Sequence, residues 1–509
     1  MGTFCLKCIC FRKNEPRIYG RCGNMKKSVV LLLLCGIAIC LTILTYFQMN
    51  NKNKLKENNI INKNKFISIM IKDDGEEEYK QPFYNTIPKG YYVLNEEKTY
   101  CKNNSKVGNY DNTTGTVSFS FIGTDECHLY FDVVLPGYLK VLKANGGVDA
   151  IVAKGKPNFS VSATTDEGMF AAEDDNGTSY YFRGAVSNNW VKVGKYNSDV
   201  TYYRGYYSET DSRFYDWPSL SDCTNSSTYN YKCTEIPYAK AGDDMYWRIV
   251  RINGDNSIRL IYSGAVAPRS EKEAVMKKND SVYVGTSVFN ANHTSPYYVG
   301  FKYDISYQHG YGTSSTILQS LYNWYVYTSF NTTDSSLLAN QIICNDRTMS
   351  QNESGPFGDA SLSTSITWYY GFYGRYLSGT PSLVCPTETD KFYVKGDSYY
   401  ILSHPVGLLT ADEAVVAGLS YNNKNSESYL VPALTDTYVV SYWLVTPYYS
   451  AARSNNVPAT SYGTGISWDG TINEKSIIAT LGVRPVISLS DDVYFDGSGT
   501  WNDPYVVSE

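Results

Sequence analysis

The longest uninterrupted apolar stretch runs from Ser28 to Gln48, SVVLLLLCGIAICLTILTYFQ, without a single charge. About 20 such residues suffice to cross a bilayer as a helix. The run is longer than the core of a secretory signal, and no small-x-small motif follows it, although a cleaved signal stays open. The pattern therefore predicts a single transmembrane helix over 28–48. Residues 49–78 then lose all apolar periodicity. Asn and Lys dominate and DDGEEE closes the stretch, which predicts a disordered linker.

Beyond the linker the period changes to two. Val117, Phe119 and Phe121 alternate with polar residues, and HLYFDVVL (128–135) is a second strand, so 79–135 reads as a small β module. Residues 136–165 form a helical connector, with YLKVLKANGGVDAIVA read as one short helix or two turns broken at Gly146-Gly147. TSYYFRGAV (178–186) and NWVKVG (189–194), separated by Ser187-Asn188, carry a hairpin signal. MYWRIVRINGDNSIRLIYSG (245–264) carries a clearer one, with Asn253-Gly254 starting the turn. A helix is expected over 314–330, capped by Ser314 or Ser315, with Ile317, Leu318, Leu321, Trp324 and Tyr325 in one stripe. GLLTADEAVVAGL (407–419) holds the capping box Thr410-Ala411-Asp412-Glu413, and Gly418 can end that helix. YWLVTP (442–447), GISWDG (465–470) and the buried-type strand LGVRPVISL (481–489) close the chain.

Composition narrows this picture. Of 509 residues, 43 % are hydrophobic, enough for a core in two or more units, and the net charge is −5. Without a basic excess beyond the N-terminus, nucleic acid is not an expected partner. Lys7, Arg12, Lys13, Arg17, Arg21, Lys26 and Lys27 precede the apolar run and Lys52, Lys54, Lys56, Lys63 and Lys65 follow it. Basic-residue counting thus only slightly favours an inside N-terminus. The Lys-poor C-terminal part is expected outside, with 1–27 as a cytoplasmic tail. The 48 tyrosines are roughly three times ordinary usage. They suit β-strands, and with Asn, Ser and Gly they also suit binding faces.

Six cysteines lie beyond the apolar run: Cys101, Cys127, Cys223, Cys233, Cys344 and Cys385. An even number in an exported region permits three disulfides of open connectivity. Before it, Cys5-x-x-Cys8-x-Cys10 lacks the second pair or nearby His that a zinc site needs. Juxtamembrane acylation is a rival use.

The blocks TTDEGMFAAEDDNGTSYYFRGAV, YWRIVRINGDNSIRLIYSG, CNDRT, PVGLLTADEAVVAG, YWLVTP, GVRPVISL and GTWNDPYVV, in this order over roughly 138–509, resemble a family of bacterial membrane-anchored surface proteins. TYCKNNSK and DECHLYFDVVL resemble a module that often precedes them. The resemblance implies the pairs Cys101–Cys127 and Cys344–Cys385, leaving Cys223 with Cys233. It also implies that 166–509 has a C-type-lectin-like fold, similar to formylglycine-generating enzymes and variable phage receptor-binding proteins. An exterior location and a recognition role go with it. Fold alone does not set function.

Catalytic signals are weak. His128, His293, His309 and His404 form no i, i+4 pair, and G-x-S-x-G is absent. Asp412 and Glu413 are accounted for by helix capping. Cys344 and Cys385 lie far upstream of GVRPV, so formylglycine-generating activity is not carried over. No metal or cofactor is expected. Calcium stays open, though no clustered Asp/Asn loop is present. Arg484 reads as a structural ion-pair or hydrogen-bond residue.

The expected fold class is α+β and β-rich: one transmembrane helix, a small disulfide-bonded β module, and a C-type-lectin-like mixed domain. The expected function is membrane-anchored, non-enzymatic recognition of a glycan or protein. The expected ligand face is Tyr442, Trp443, Tyr448, Tyr449, Arg453, Tyr462 and Trp468, whose rings can stack on sugars or anchor a protein. A structural envelope role and an envelope hydrolase with a dispersed site are the alternatives.

Overall fold

The computed structural model describes residues 65–206, 214–217, 220–225, 233–268, 282–350, 367–394, 400–420, 423–431, 441–451 and 460–508. The chain divides into two units, Met1–Asp132 and Val133–Glu509.

In the first unit the central strand is β6 (Asp125–Val133), flanked by β1 (Lys65–Lys72), β2 (Tyr92–Leu94) and β3 (Tyr100–Cys101). β4 (Lys106–Asp111) and β5 (Thr116–Ser120) form a separate hairpin. Along β6 the inward residues Cys127, Leu129 and Phe131 alternate with half-buried ones, the period expected of a strand with one covered face. β1 falls inside the stretch read from sequence as linker. Its apolar core FISIMI is flanked by Lys and Asn, yet it lies parallel to β6 and buries Ile69.

The second unit opens with two helices, α1 (Gly137–Ala144) and α2 (Gly147–Ala153). They separate where Gly146 and Gly147 take φ of 95° and 82°, a region closed to most other residues. An eight-stranded sheet follows. Its members are β7 (Asp166–Asp174), β8 (Gly177–Gly184), β9 (Trp190–Lys195), β13 (Asp244–Ile252), β14 (Ile258–Tyr262), β21 (Val486–Leu489), β22 (Tyr494–Asp496) and β23 (Tyr505–Ser508). The order is β21-β14-β13-β9-β23-β22, with β8 also on β13 and β7 on β8. β10 (Val200–Tyr206), β11 (Phe214–Trp217) and β12 (Thr234–Ala239) make a small sheet beside it in sequence.

A six-stranded sheet contains β15 (Thr286–Ser287), β16 (Thr367–Tyr369), β17 (Tyr442–Ala451), β18 (Thr460–Ile466), β19 (Ile472–Ser476) and β20 (Leu481–Gly482). The remaining helices that matter are α3 (Thr316–Tyr325), α4 (Gly371–Leu377) and α5 (Ala411–Val416). Ser315 caps α3, and its whole expected stripe is buried. One continuous apolar core joins both sheets, with Trp190, Trp247 and Trp443 all fully enclosed.

Three expectations are corrected. The helix expected over 28–48 lies outside the described residues, and among the described residues no helix is long and apolar enough to cross a membrane. The longest, α3, has 10 residues. At about 1.5 Å per residue it spans half of a bilayer core. The architecture is β-rich with few short helices. It supports neither the expected α+β arrangement built on a transmembrane helix nor a single-pass cell-membrane location with the C-terminal domains outside. Second, 178–186 and 189–194 do not pair with each other. β8 turns back on β7 through Asp175-Asn176, while β9 pairs with β13 and β23. Both β8 and β9 contact β13, whose long apolar surface outcompetes the local turn. Third, LGVRPVISL is two short strands, interrupted at Arg484-Pro485, where proline offers no amide donor.

The structure closes three disulfides, Cys101–Cys127, Cys223–Cys233 and Cys344–Cys385.

Candidate functional site

Two polar constellations stand out in the second unit. The first is buried. The hairpin β13–β14 sends Arg251 and Arg259 toward the N-terminus of α5. There Glu413 completes the expected capping box, its carboxylate 2.9 Å from the Thr410 amide while Thr410 Oγ1 takes the Glu413 amide. The same carboxylate meets Arg251 Nε at 3.0 Å and Arg259 Nη2 at 3.3 Å. Arg251 also pairs with Asp174 at the end of β7. Next to it, Arg375 of α4 forks onto Asp412 at 2.7 and 3.0 Å and reaches Asp346 of the CNDRT block at 2.8 Å.

Burial penalises both adjacent carboxylates, with opposite outcomes. For Glu413, Arg259 and Arg251 overcome it and hold the pKa below the usual value. For Asp412, burial prevails over the Arg375 pair and the pKa rises. The cavity among these groups is about 40 Å³. That is room for water, not for a substrate. One acceptor in its wall has no partner among the described residues: Asn253 Oδ1, while Asn253 Nδ2 donates to Ser257 Oγ, which donates to Asp255. Water suits that position. The constellation locks strands, helix and loops together.

The second constellation faces outward. In β16, β17 and β18 the register aligns Tyr369, Tyr449 and Tyr462 in one row across three strands. Tyr449 stacks on Tyr462 with centroids 4.3 Å apart, and Tyr369 lies 5.6 Å from Tyr449. From α4, Tyr373 stacks on Tyr369 at 3.9 Å. All four rings are half-buried, so each keeps part of its surface in water. Tyr448, behind them, is buried and meets Tyr373 edge-on at 5.6 Å. Burial, and then Tyr462 beside it, push the Tyr449 hydroxyl above the ordinary phenol range, so it stays protonated.

The residues expected to form one face are thus divided. Tyr449 and Tyr462 meet at the row. Tyr442, Trp443 and Tyr448 are core: Trp443 is 0 % exposed and donates from Nε1 to Ser287 O at 2.9 Å, and Tyr442 donates to Leu430 O. Adjacent Tyr442 and Trp443 point to opposite faces and both are buried, so the core covers both faces of this part of the strand. Trp468 is 43 % exposed, but it sits in the turn beyond the far end of β18, with Lys424 over its ring. Arg453 lies outside the described residues. Tyr369 and Tyr373, which complete the row, were not read from sequence. The density of tyrosine in TWYYGFYGRYL (367–377) was the available signal. Arg484 is hydrogen-bonded to Tyr262 O, Leu430 O and Ser263 Oγ in the core.

Among the described residues, the one grouping of potential metal ligands is Cys101, Asp125 and Cys127, and its two sulfurs are bonded to each other. A disulfide offers no thiolate to a metal.

No family model, no curated protein and no solved structure matches the chain.

Proposed function

We propose that this is a non-enzymatic recognition protein that binds a glycan or protein ligand through the tyrosine row Tyr369, Tyr449 and Tyr462, extended by Tyr373. The observation that carries this reading is the alignment of four partly exposed rings in mutual contact on a sheet and an adjoining helix. Rings held by their neighbours lose little rotamer freedom on binding, which favours tyrosine as an anchor. Their faces suit sugar C–H groups or apolar side chains, and their hydroxyls suit polar rims. The buried ion pairs add support from the other side. Arginines and carboxylates that could serve catalysis are consumed by one another around a cavity too small for substrate.

The test is a glycan array and a peptide array probed with the oxidised full chain, followed by titration calorimetry on any hit. The expected result is saturable binding that weakens at least tenfold in Tyr449→Ala and in Tyr462→Ala, with unfolding temperature nearly kept. Undiminished binding in the double variant rejects this face. No saturable ligand for a folded chain shifts the reading to a passive structural role.

A further inference from the structure

A different site lies in the loop between residues 304 and 312. This loop encloses an open cleft of about 510 Å³, walled by Asp304, Tyr307, Gln308, His309 and Tyr311. Its base is rigid. Arg347 donates to Lys302 O at 3.0 Å and to Gly310 O at 2.8 Å, clamping both sides of the loop, while Gln308 Nε2 donates to Arg347 O. Arg347 also neutralises the fully buried Asp390, with Nη2 and Nε 2.7 and 2.8 Å from Oδ1 and its amide 2.7 Å from Oδ2. His309 Nδ1 sits 3.0 Å from the same Oδ2.

The chemistry of the cleft follows from that base. An ionised carboxylate only accepts, so His309 must carry its proton on Nδ1. In the neutral imidazole with that tautomer His309 Nε2 is an acceptor, and it has no hydrogen-bond partner among the described residues. Gln308 gives one of its two amide N–H groups to Arg347 O, and its carbonyl oxygen remains an acceptor. Asp304 takes the Ser306 amide at 2.8 Å through Oδ1 and has no ion-pair partner among the described residues. Three acceptors and one uncompensated negative charge thus share a cleft with the exposed rings of Tyr307 and Tyr311.

The geometry points to a binding site for a primary ammonium group, carried by an amino sugar or by a lysine side chain. An ammonium supplies three donors and one positive charge, and aromatic rings attract it further. A neutral polyol would leave Asp304 uncompensated. The site shares no residue with the tyrosine row, so it stands or falls separately.

The test uses the full chain and two matched pairs: glucosamine against glucose, and Nα-acetyllysine amide against Nα-acetylnorleucine amide. Calorimetry should give saturable binding of at least one amine at millimolar concentrations or below, with its deaminated control at least tenfold weaker. Asp304→Asn, which keeps the acceptor for Ser306, should weaken the amine at least tenfold. The imidazole ¹⁵N signal of His309 should shift during the titration. Which amine binds identifies the source. Equal binding of amine and control, or no binding of either amine to the folded chain, overturns the proposal. So does full binding by Asp304→Asn.

Discussion

The charge network around Glu413 and the tyrosine row around Tyr449 use polar groups in opposite ways. In the network each carboxylate is closed off by guanidinium and amide donors, and little space remains. In the row each ring is held by other rings while part of it stays in water. A buried, saturated network defines how elements meet, because leaving one member unpaired is costly. A supported, half-buried row leaves part of its surface unspent. The blocks WRIVRING, SIRL, CNDRT and TADE map largely onto the network, and their charged residues are engaged in holding the fold.

The sharpest way to break this comparison is to remove one network member. Glu413→Ala leaves Arg251 and Arg259 buried without their shared carboxylate. It should cost about 3–5 kcal/mol, read as a lower urea midpoint. Trp443→Ala should cost about as much by opening a core cavity, whereas the sequence-based reading placed this residue on the ligand face. Opening Cys344–Cys385 with Cys344→Ser and Cys385→Ser should cost about 2–4 kcal/mol, because the pair closes a long loop beside the network.

Acid should separate the two adjacent carboxylates. Glu413, with its folded pKa lowered, contributes stability that is present above its unfolded pKa and lost as pH falls through the lower folded value. Asp412, with its folded pKa raised, does the reverse: its contribution grows as pH falls through the raised value toward the unfolded one. In urea titrations between about pH 3 and 6, Glu413→Gln should flatten the acid loss of stability and Asp412→Asn should steepen it. The smallest effect is expected at Trp468→Ala. It should shift stability by no more than about 0.5 kcal/mol and leave binding at the tyrosine row unchanged.

Much of the local structure was legible. The hairpin at 245–264, the stripe of α3, the capping box at Thr410 and the break at Gly146-Gly147 follow from turn chemistry, period and caps acting over a few residues. The disulfide pairs implied by the resemblance are the ones present. The strand at 65–72 was hidden by its Asn/Lys flanks, because its reason to fold is a partner more than 50 residues away in β6. The face containing Trp443 was misread for a related reason. An aromatic-rich strand looks the same whether central or at an edge, and Trp443 is enclosed by β15, β18 and the core.

By itself the sequence determined the β-rich character, the short helices with their caps, and the supply of tyrosines, arginines and carboxylates. Those follow from propensities and periods that each segment carries alone. Only the tertiary structure decided that Glu413 gathers Arg251 and Arg259 across more than 150 residues of chain, and that Tyr369 comes to lie beside Tyr449 and Tyr462. It alone held His309 Nδ1 against the buried Asp390. Such pairings depend on strand order and sheet register, which are set by the burial of the whole core and not by any one segment.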